Sequence, residues 1–323
     1  MVSAKLTMVL GKHGQVEDIR SGAVTVDGAD IAFKTFDRMP DAYRIMARTA
    51  EFDICELAPT TYLMAREAGV AITALPLPMT RRFRHSGLQR LRESKLRRPK
   101  DLEGQRVGLR AYSVTAPVWT RGILAEEYGV DLDAITWMKE DEEHVTSYVL
   151  PDNVDEAPAG SSLADMMRAG ELEVAFAGLA GVKGDESLQL VEFFDDGEEL
   201  EKDWFARTGI YPIHGVIAAR NDVLQQYPEL ALNIFDAFCR ARDNYWTRVS
   251  SGESDSPEDR RYRKLAAIVG NPLPYGLEEN HRSFEALIRF AKDQKLLKQA
   301  PAIRQAFPDP RESDAVRVAI GGN

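Results

Sequence analysis

Short apolar runs alternate with amphipathic stretches along most of this chain, which is how a parallel sheet covered by helices is written in sequence. Leu6 to Leu10, Ile31 to Phe36 and Phe52 to Leu57 read as strands. Helices are expected over Pro40 to Thr49, where Tyr43, Met46 and Ala47 share a face, and from Ala58-Pro59-Thr60 through Glu67. Proline is at home there, because the first amide of a helix has no intrahelical partner. Ala71 to Met79 contains Pro76 and Pro78 and suits an edge or hinge segment better than the middle of a sheet. After Pro99 to Arg106 the alternation resumes with a strand at Val107 to Leu109 and a helix from Val114 to Tyr128 that stops at Gly129. Ile135 to Met138, Val174 to Ala177 and Leu190 to Phe194 read as further strands, with a helix from Leu163 to Ala169. Gly209 to Ala219 reads as an extended return crossing, Pro228 to Trp246 as a long amphipathic helix, and the remainder as helical. No repeat of fixed period is present, which argues against a solenoid. At 323 residues the chain is about twice a typical domain, so an α/β protein of two lobes is expected.

A formal charge of −10 disfavours nucleic acid as the main partner, since such binders carry a basic face to displace counterions from phosphates. The stretch from Arg81 to Lys100 is the local exception, with nine Lys or Arg residues. Taken alone it reads as a solvated face. Cys55 and Cys239 stand far apart with no CxxC pair, which disfavours a disulfide framework, a zinc knuckle or an iron–sulfur site. In the N-terminal segment Lys5 interrupts the apolar run and Gly11-Lys12-His13 ends it, unlike a secretory signal. No window approaches the ~20 apolar residues of a membrane span, so the expectation is a cytoplasmic protein without a membrane partner. Self-association as a homo-oligomer is allowed by the sequence and not required by it.

In open α/β sheets ligands bind beyond the carboxyl ends of strands, where helix N-termini present free N–H groups. Ser113-Val114-Thr115-Ala116-Pro117 follows a strand directly, with Ser113 placed as an N-cap and Thr115 adding a hydroxyl. Glu56-Leu57-Ala58-Pro59-Thr60-Thr61 offers a second such start. A carboxylate or phosphate between two such ends would be held by charge-assisted bonds, although every α/β protein has helix starts of this kind. Arg82-Phe83-Arg84-His85-Ser86 follows the hinge candidate: Arg84 can grip a carboxylate, His85 can carry a proton and Ser86 can hydrogen-bond. The plainer reading is a surface arm with a satisfied histidine, and His214 has the same two readings. His13 sits in a loop after the first strand and His281 in a polar helix. His144 follows Glu140-Asp141-Glu142-Glu143, a run better read as solvated acids than as a metal site, so no metal is expected. No Walker loop, GxGxxG, HExxH or GxSxG occurs.

Phe52-Asp53-Ile54-Cys55-Glu56-Leu57, Arg82-Phe83-Arg84-His85-Ser86, Asp101-Leu102-Glu103-Gly104-Gln105-Arg106-Val107-Gly108, Thr115-Ala116-Pro117-Val118-Trp119-Thr120-Arg121-Gly122-Ile123-Leu124 and Thr208-Gly209-Ile210-Tyr211-Pro212-Ile213 together resemble the 4,5-dihydroxyphthalate decarboxylase family. That family is similar to the periplasmic solute-binding proteins of ABC transporters. The resemblance covers nearly the whole chain in order. It implies a two-lobed, type II periplasmic-binding-protein-like fold with a ligand cleft between lobes, lobe I comprising 1–85 and 213–323 and lobe II 86–212. It further implies a carboxy-lyase that removes CO2 from a hydroxylated aromatic acid by ring-carbon protonation, with no cofactor. On this basis His85, His214 and Arg84 are the expected catalytic residues. Ser86, Glu56, Tyr112, Ser113, Thr115, Trp119 and Arg121 are the expected contacts to a small aromatic carboxylate, with Tyr112 and Trp119 stacking on its ring. Two departures stand out. Where the family carries Gly-Gly and Pro-Gly-Arg near Trp137-Met138, this chain has Lys139-Glu140-Asp141-Glu142-Glu143-His144, and an Arg-Pro-Pro-like segment is here Gly178-Leu179-Ala180-Gly181. Fewer positive groups then remain for a second carboxylate, which leaves a substrate other than dihydroxyphthalate open. The rival readings are a non-catalytic solute-binding protein and a pyrimidine precursor synthase of thiamine biosynthesis. The latter expects a cysteine-rich iron segment that two isolated cysteines do not supply.

Overall fold

The structure, a computed structural model, describes residues 3–182 and 187–321; Met1 and Val2, which open the N-terminal segment read above, lie outside them. The chain divides into two compact units, one of Met1–Arg81, Ile213–Glu285 and Ala300–Asn323, the other of Arg82–Pro212 and Ala286–Gln299. The first crossing therefore falls at Arg81, and 286–299, read from sequence with the first lobe, packs with the second unit. Side chains explain this: Phe290 sets its ring against Trp119 at 5.6 Å, and Gln294 donates to the Val118 carbonyl at 2.9 Å.

The strands are β1 (Ala4–Val9), β2 (Ala29–Lys34), β3 (Ile54–Leu57) and β4 (Ile72–Leu75), then β5 (Leu88–Leu91), β6 (Arg106–Leu109), β7 (Thr136–Lys139), β8 (Val154–Glu156), β9 (Val174–Phe176) and β10 (Leu190–Glu192), and finally β11 (Val216–Arg220). In the first unit the order is β2-β1-β3-β11-β4, with β1 parallel to β2 and β3 and β11 antiparallel to β3 and β4. Leu6 and Met8 alternate inward from β1 and join Ile54, Leu75 and Ile217. Against them lie Ile234, Phe235 and Phe238 of the helix Leu230–Ser250. Each such side chain contributes about 1.5–3 kcal/mol on burial. The proline-bearing segment is indeed an edge: β4 ends at Leu75, so Pro76 removes no ladder bond.

In the second unit the order is β10-β5-β9-β6-β7-β8; β6 runs parallel to β7 and β9 and β7 to β8, while β5 and β10 are antiparallel additions. β5 lies inside the basic stretch that reads as a solvated face. Leu88 is buried there, and Arg90 is only 5% exposed, with its guanidinium 3.2 Å from Asp195. The edge strand β8 and the helix Gly197–Thr208, which buries only Trp204, carry too little apolar periodicity to stand out in sequence.

The helix Thr115–Tyr128 is buried over Thr115 to Leu124 and ends at Gly129, whose left-handed backbone (φ 62°) closes the last turn. Its start differs from the expectation. Val114 occupies the N-cap position without a side-chain bond, and the Ser113 hydroxyl is turned to the Glu143 carboxylate. Gly122 has a packing reason: a Cβ there would come within 2.1 Å of the Phe290 ring, itself 2% exposed. Gly122→Ala is therefore expected to lower stability by about 1–3 kcal/mol through overpacking, against alanine's advantage of about 1 kcal/mol in helix propensity. A urea midpoint equal to or above that of the wild type would show the ring free to give way.

Candidate active site

In the first unit the chain leaving β1 goes to β2 on one side and the chain leaving β3 goes to β4 on the other, so the crevice at the carboxyl ends of these parallel neighbours is the topological switch point. Register places Met8 beside Ile54 and Val9 beside Cys55, and the next residues outward are Gly11, His13 and Glu56. Glu56 is 2% exposed, a burial that a carboxylate tolerates only when its oxygens are bonded. It accepts the Gly11 amide at 2.8 Å, His13 Nε2 at 3.0 Å on each oxygen, and the Tyr43 hydroxyl at 3.3 Å. Two glycines make the space. A Cβ at Gly11 would lie 2.8 Å from Glu56 Oε2 and 2.5 Å from His13 Nε2, and one at Gly215 would lie 2.9 Å from Glu56 Oε1.

Charge follows from this packing. Burial alone pulls the His13 pKa down, but the adjacent Glu56 carboxylate outweighs it and the imidazole ends above its ordinary value. Burial pushes Glu56 up, yet His13, the Gly11 amide and the Tyr43 hydroxyl together hold it below the usual carboxylate value. Each partner thus favours the charged form of the other, with Nε2 turned to the carboxylate. His214 precedes Gly215 in the same unit, is half-buried, and donates its amide to the Thr80 carbonyl at 2.8 Å.

The second unit repeats the topology. β7 lies on one side of β6 and β9 on the other, so the turn after β6 is that sheet's switch point. Here the amides of Tyr112 and Ser113 do point at an anion, but it belongs to the chain: Glu143 accepts from Tyr112 N at 2.7 Å, from Ser113 N at 3.0 Å and from Ser113 Oγ. Arg121, fully buried, donates Nε to Gln294 at 2.6 Å and Nη2 to the Tyr112 carbonyl at 2.7 Å. Its guanidinium lies 3.7 Å from the Tyr112 ring centre, so that face of the ring is covered. Trp119, also fully buried, meets Phe290 edge-on, and Thr115 is buried in the first helical turn. Both pack as core.

The Arg82–Ser86 segment divides its residues. His85 is 1% exposed among Tyr128, Phe194 and Trp204, with ring centres at 6.3, 5.7 and 5.9 Å. Burial holds it down to about 4. A neutral imidazole has no readily released proton at neutral pH, which removes the physical ground for expecting His85 to be the acid. Arg84 is half-buried beside Gly87, with its carbonyl accepting Thr120 Oγ1 at 3.2 Å. Ser86 gives its amide and hydroxyl to Glu201 at 3.0 and 2.9 Å.

Among the described residues no three His, Cys, Asp or Glu side chains gather as a metal site, and no helix is long and apolar enough to cross a membrane. Sequence reasoning missed the pairing of His13 with Glu56 and the roles of Glu143, Gln294 and Glu201. For the first a signal existed, since His13 follows one strand and Glu56 lies near the end of another in the same alternating pattern.

Residues 45–246 match the family described as NMT1/THI5 like. A 4,5-dihydroxyphthalate decarboxylase of Comamonas testosteroni is 30% identical over 294 residues, covering 87% of this chain and 89% of that protein. The alkanesulfonate-binding protein SsuA of Xanthomonas axonopodis pv. citri superposes with a TM-score of 0.53 at 14% identity, over 95% of this chain and 98% of its own. The desulfurization enzyme DSZB does so with a TM-score of 0.52 at 15% identity, over 99% of each. At such identities these two show the fold alone, which is that of the periplasmic binding proteins, and binding proteins and enzymes both use it. With the sequence relationship spanning most of both proteins, the chain belongs to the 4,5-dihydroxyphthalate decarboxylase family, on an NMT1/THI5-like domain.

Proposed function

We propose that the chain is a non-oxidative decarboxylase of a hydroxylated aromatic carboxylic acid, with His13 as its proton donor. The observation that supports this reading is the imidazole held by Glu56 at the β1–β3 switch point, in a chain whose Comamonas relative is named a decarboxylase. A ring hydroxyl para to the carboxylate pushes an electron pair into the ring, and the carbon bearing the carboxylate takes a proton from the imidazolium. The carbon–carboxylate bond then breaks, its electron pair restores aromaticity, and CO2 leaves. Neutral His13 regains its proton from solvent. One proton is consumed and no electron acceptor is required, which suits an imidazole whose protonated form is favoured by an adjacent carboxylate. Glu56 stabilises that cation and, with Tyr43, fixes the ring's orientation.

The reading is tested by incubating the protein with 4,5-dihydroxyphthalate and with hydroxybenzoates in deuterated water. CO2 release with one deuterium at the vacated ring carbon is expected. Tight binding of a ligand recovered unchanged would favour the solute-binding alternative instead.

A further inference from the structure

Within the first unit, two buried polar atoms near the His13–Glu56 pair are left without protein partners. Gln15, two residues past His13, is 1% exposed, and its Nε2 donates to the Met79 carbonyl at 2.6 Å. A carbonyl only accepts, so the amide nitrogen must face Met79 and the amide oxygen must be turned from it. That oxygen has no hydrogen-bond partner among the described residues, and neither has the hydroxyl of Tyr275, which is 3% exposed. Both side chains are tied to one segment, 76–79. The Gly276 amide, next to Tyr275, donates to the Pro76 carbonyl at 2.9 Å, and the Met79 amide donates to the Gly215 carbonyl at 2.8 Å. A Cβ at Gly215 would lie 3.1 Å from Met79 Cβ and 2.9 Å from Glu56 Oε1, so this segment and the Glu56 carboxylate flank the same glycine. Glu56 is also among the charges that act on the Tyr275 hydroxyl. Buried polar atoms are nearly always paired. An acceptor and a hydroxyl left unpaired in the unit that carries the His13–Glu56 pair are the complement of a ligand's hydroxyl group.

We propose that Gln15 and Tyr275 form the subsite for the ring hydroxyl of the substrate, Gln15 Oε1 accepting its hydrogen and the Tyr275 hydroxyl donating to its oxygen. This rests on the decarboxylase reading and names the substrate group that the first unit recognises. The two residues discriminate as any buried hydrogen-bonding site does. A ring without the hydroxyl leaves both atoms unpaired in a closed site, whereas a hydroxylated ring pairs them. The hydroxyl that supplies the electron pair for decarboxylation is thereby the one selected on binding.

The test compares 4-hydroxybenzoate with benzoate, which differ by that hydroxyl alone, by calorimetric binding to the full chain and to its Tyr275→Phe and Gln15→Met variants. The wild type is expected to prefer 4-hydroxybenzoate by about tenfold or more, and each substitution to cut that preference about tenfold. Tyr275→Phe keeps the ring and removes only an unpaired hydroxyl, so its melting temperature without ligand should equal or exceed that of the wild type. A wild type that binds 4-hydroxybenzoate no better than benzoate, or a preference unmoved in Tyr275→Phe, overturns the proposal. So does a clear fall in the Tyr275→Phe melting temperature, which would mean that the hydroxyl serves the fold itself. Gln15→Met also loses the bond to Met79, and should it not fold, Tyr275→Phe carries the ratio measurement. Decarboxylation is read separately as CO2. The expected binding ratio without CO2 release from any acid sinks the decarboxylase reading and leaves the hydroxyl subsite standing; CO2 release with the ratio unmoved does the reverse.

Discussion

His13→Gln is expected to lower kcat for decarboxylation by about 10²–10⁴-fold, the usual worth of a positioned general acid, with KM changed little. Glutamine can still hydrogen-bond Glu56, so the fold around Gly11 is preserved while the transferable proton is lost. The pH profile carries the stricter test. His13 is raised above its ordinary 6.5, so the proton donor is present below that raised value and disappears as pH climbs through it. The wild-type rate should therefore fall on a basic limb. Glu56→Gln removes the largest influence that raises His13 and leaves burial, which lowers it, with Glu258 acting against burial and Arg20 with it. That limb should then move to lower pH. A purely structural His13 would reduce activity without moving the limb, and an unchanged kcat in His13→Gln would sink the assignment outright. The same linkage bears on stability. The raised His13 stabilises the fold fully below its unfolded value and ceases to do so as pH rises through the folded one. The depressed Glu56 contributes above its ordinary 4.5 and loses that contribution as pH falls through its lowered value.

What could be read from sequence was what repeats locally. β1, β3 and the helix Thr115–Tyr128 are written in contiguous apolar periodicity with a proline or glycine at a boundary, and they appear within two residues of where they were expected. β5 was hidden because its pairing partners β9 and β10 come far later in the chain and because Arg90 points inward onto Asp195. The site divides the same way. That ligands gather beyond the carboxyl ends of strands follows from fold class, and both polar clusters lie there. Which side chains meet there depends on crossings that local pattern does not encode. His85 looks like a proton carrier in a run of polar residues. Tyr128, Phe194 and Trp204, each from a different stretch of chain, turn its environment apolar. Glu143 shows the converse: four consecutive acids read as solvated, yet one is drawn inside by two amides 31 and 30 positions earlier, in the turn after β6.

Arg121→Ala is expected to cost about 3–5 kcal/mol of stability. The side chain is wholly buried, so its removal leaves a cavity as well as broken bonds. Gln294 Oε1 and the Tyr112 carbonyl lose their donors, and Glu143 loses a buried positive charge with which it interacts. Arg121→Met separates these effects, since it restores most of the volume but none of the donors. If it recovers most of the loss, shape dominates; if it behaves like alanine, the uncompensated polar groups do. Lysine is no rescue, because one ammonium cannot span Gln294 and the Tyr112 carbonyl as a planar fork does. Charge coupling is isolated by adding Glu143→Gln to Arg121→Met: once the arginine is gone the buried carboxylate is a liability, so the double variant should lose less than the two single losses added together. Strict additivity in urea unfolding would mean that the two groups do not sense each other, and a loss below about 1 kcal/mol for Arg121→Ala would mean that the buried guanidinium contributes no more than an exposed ion pair.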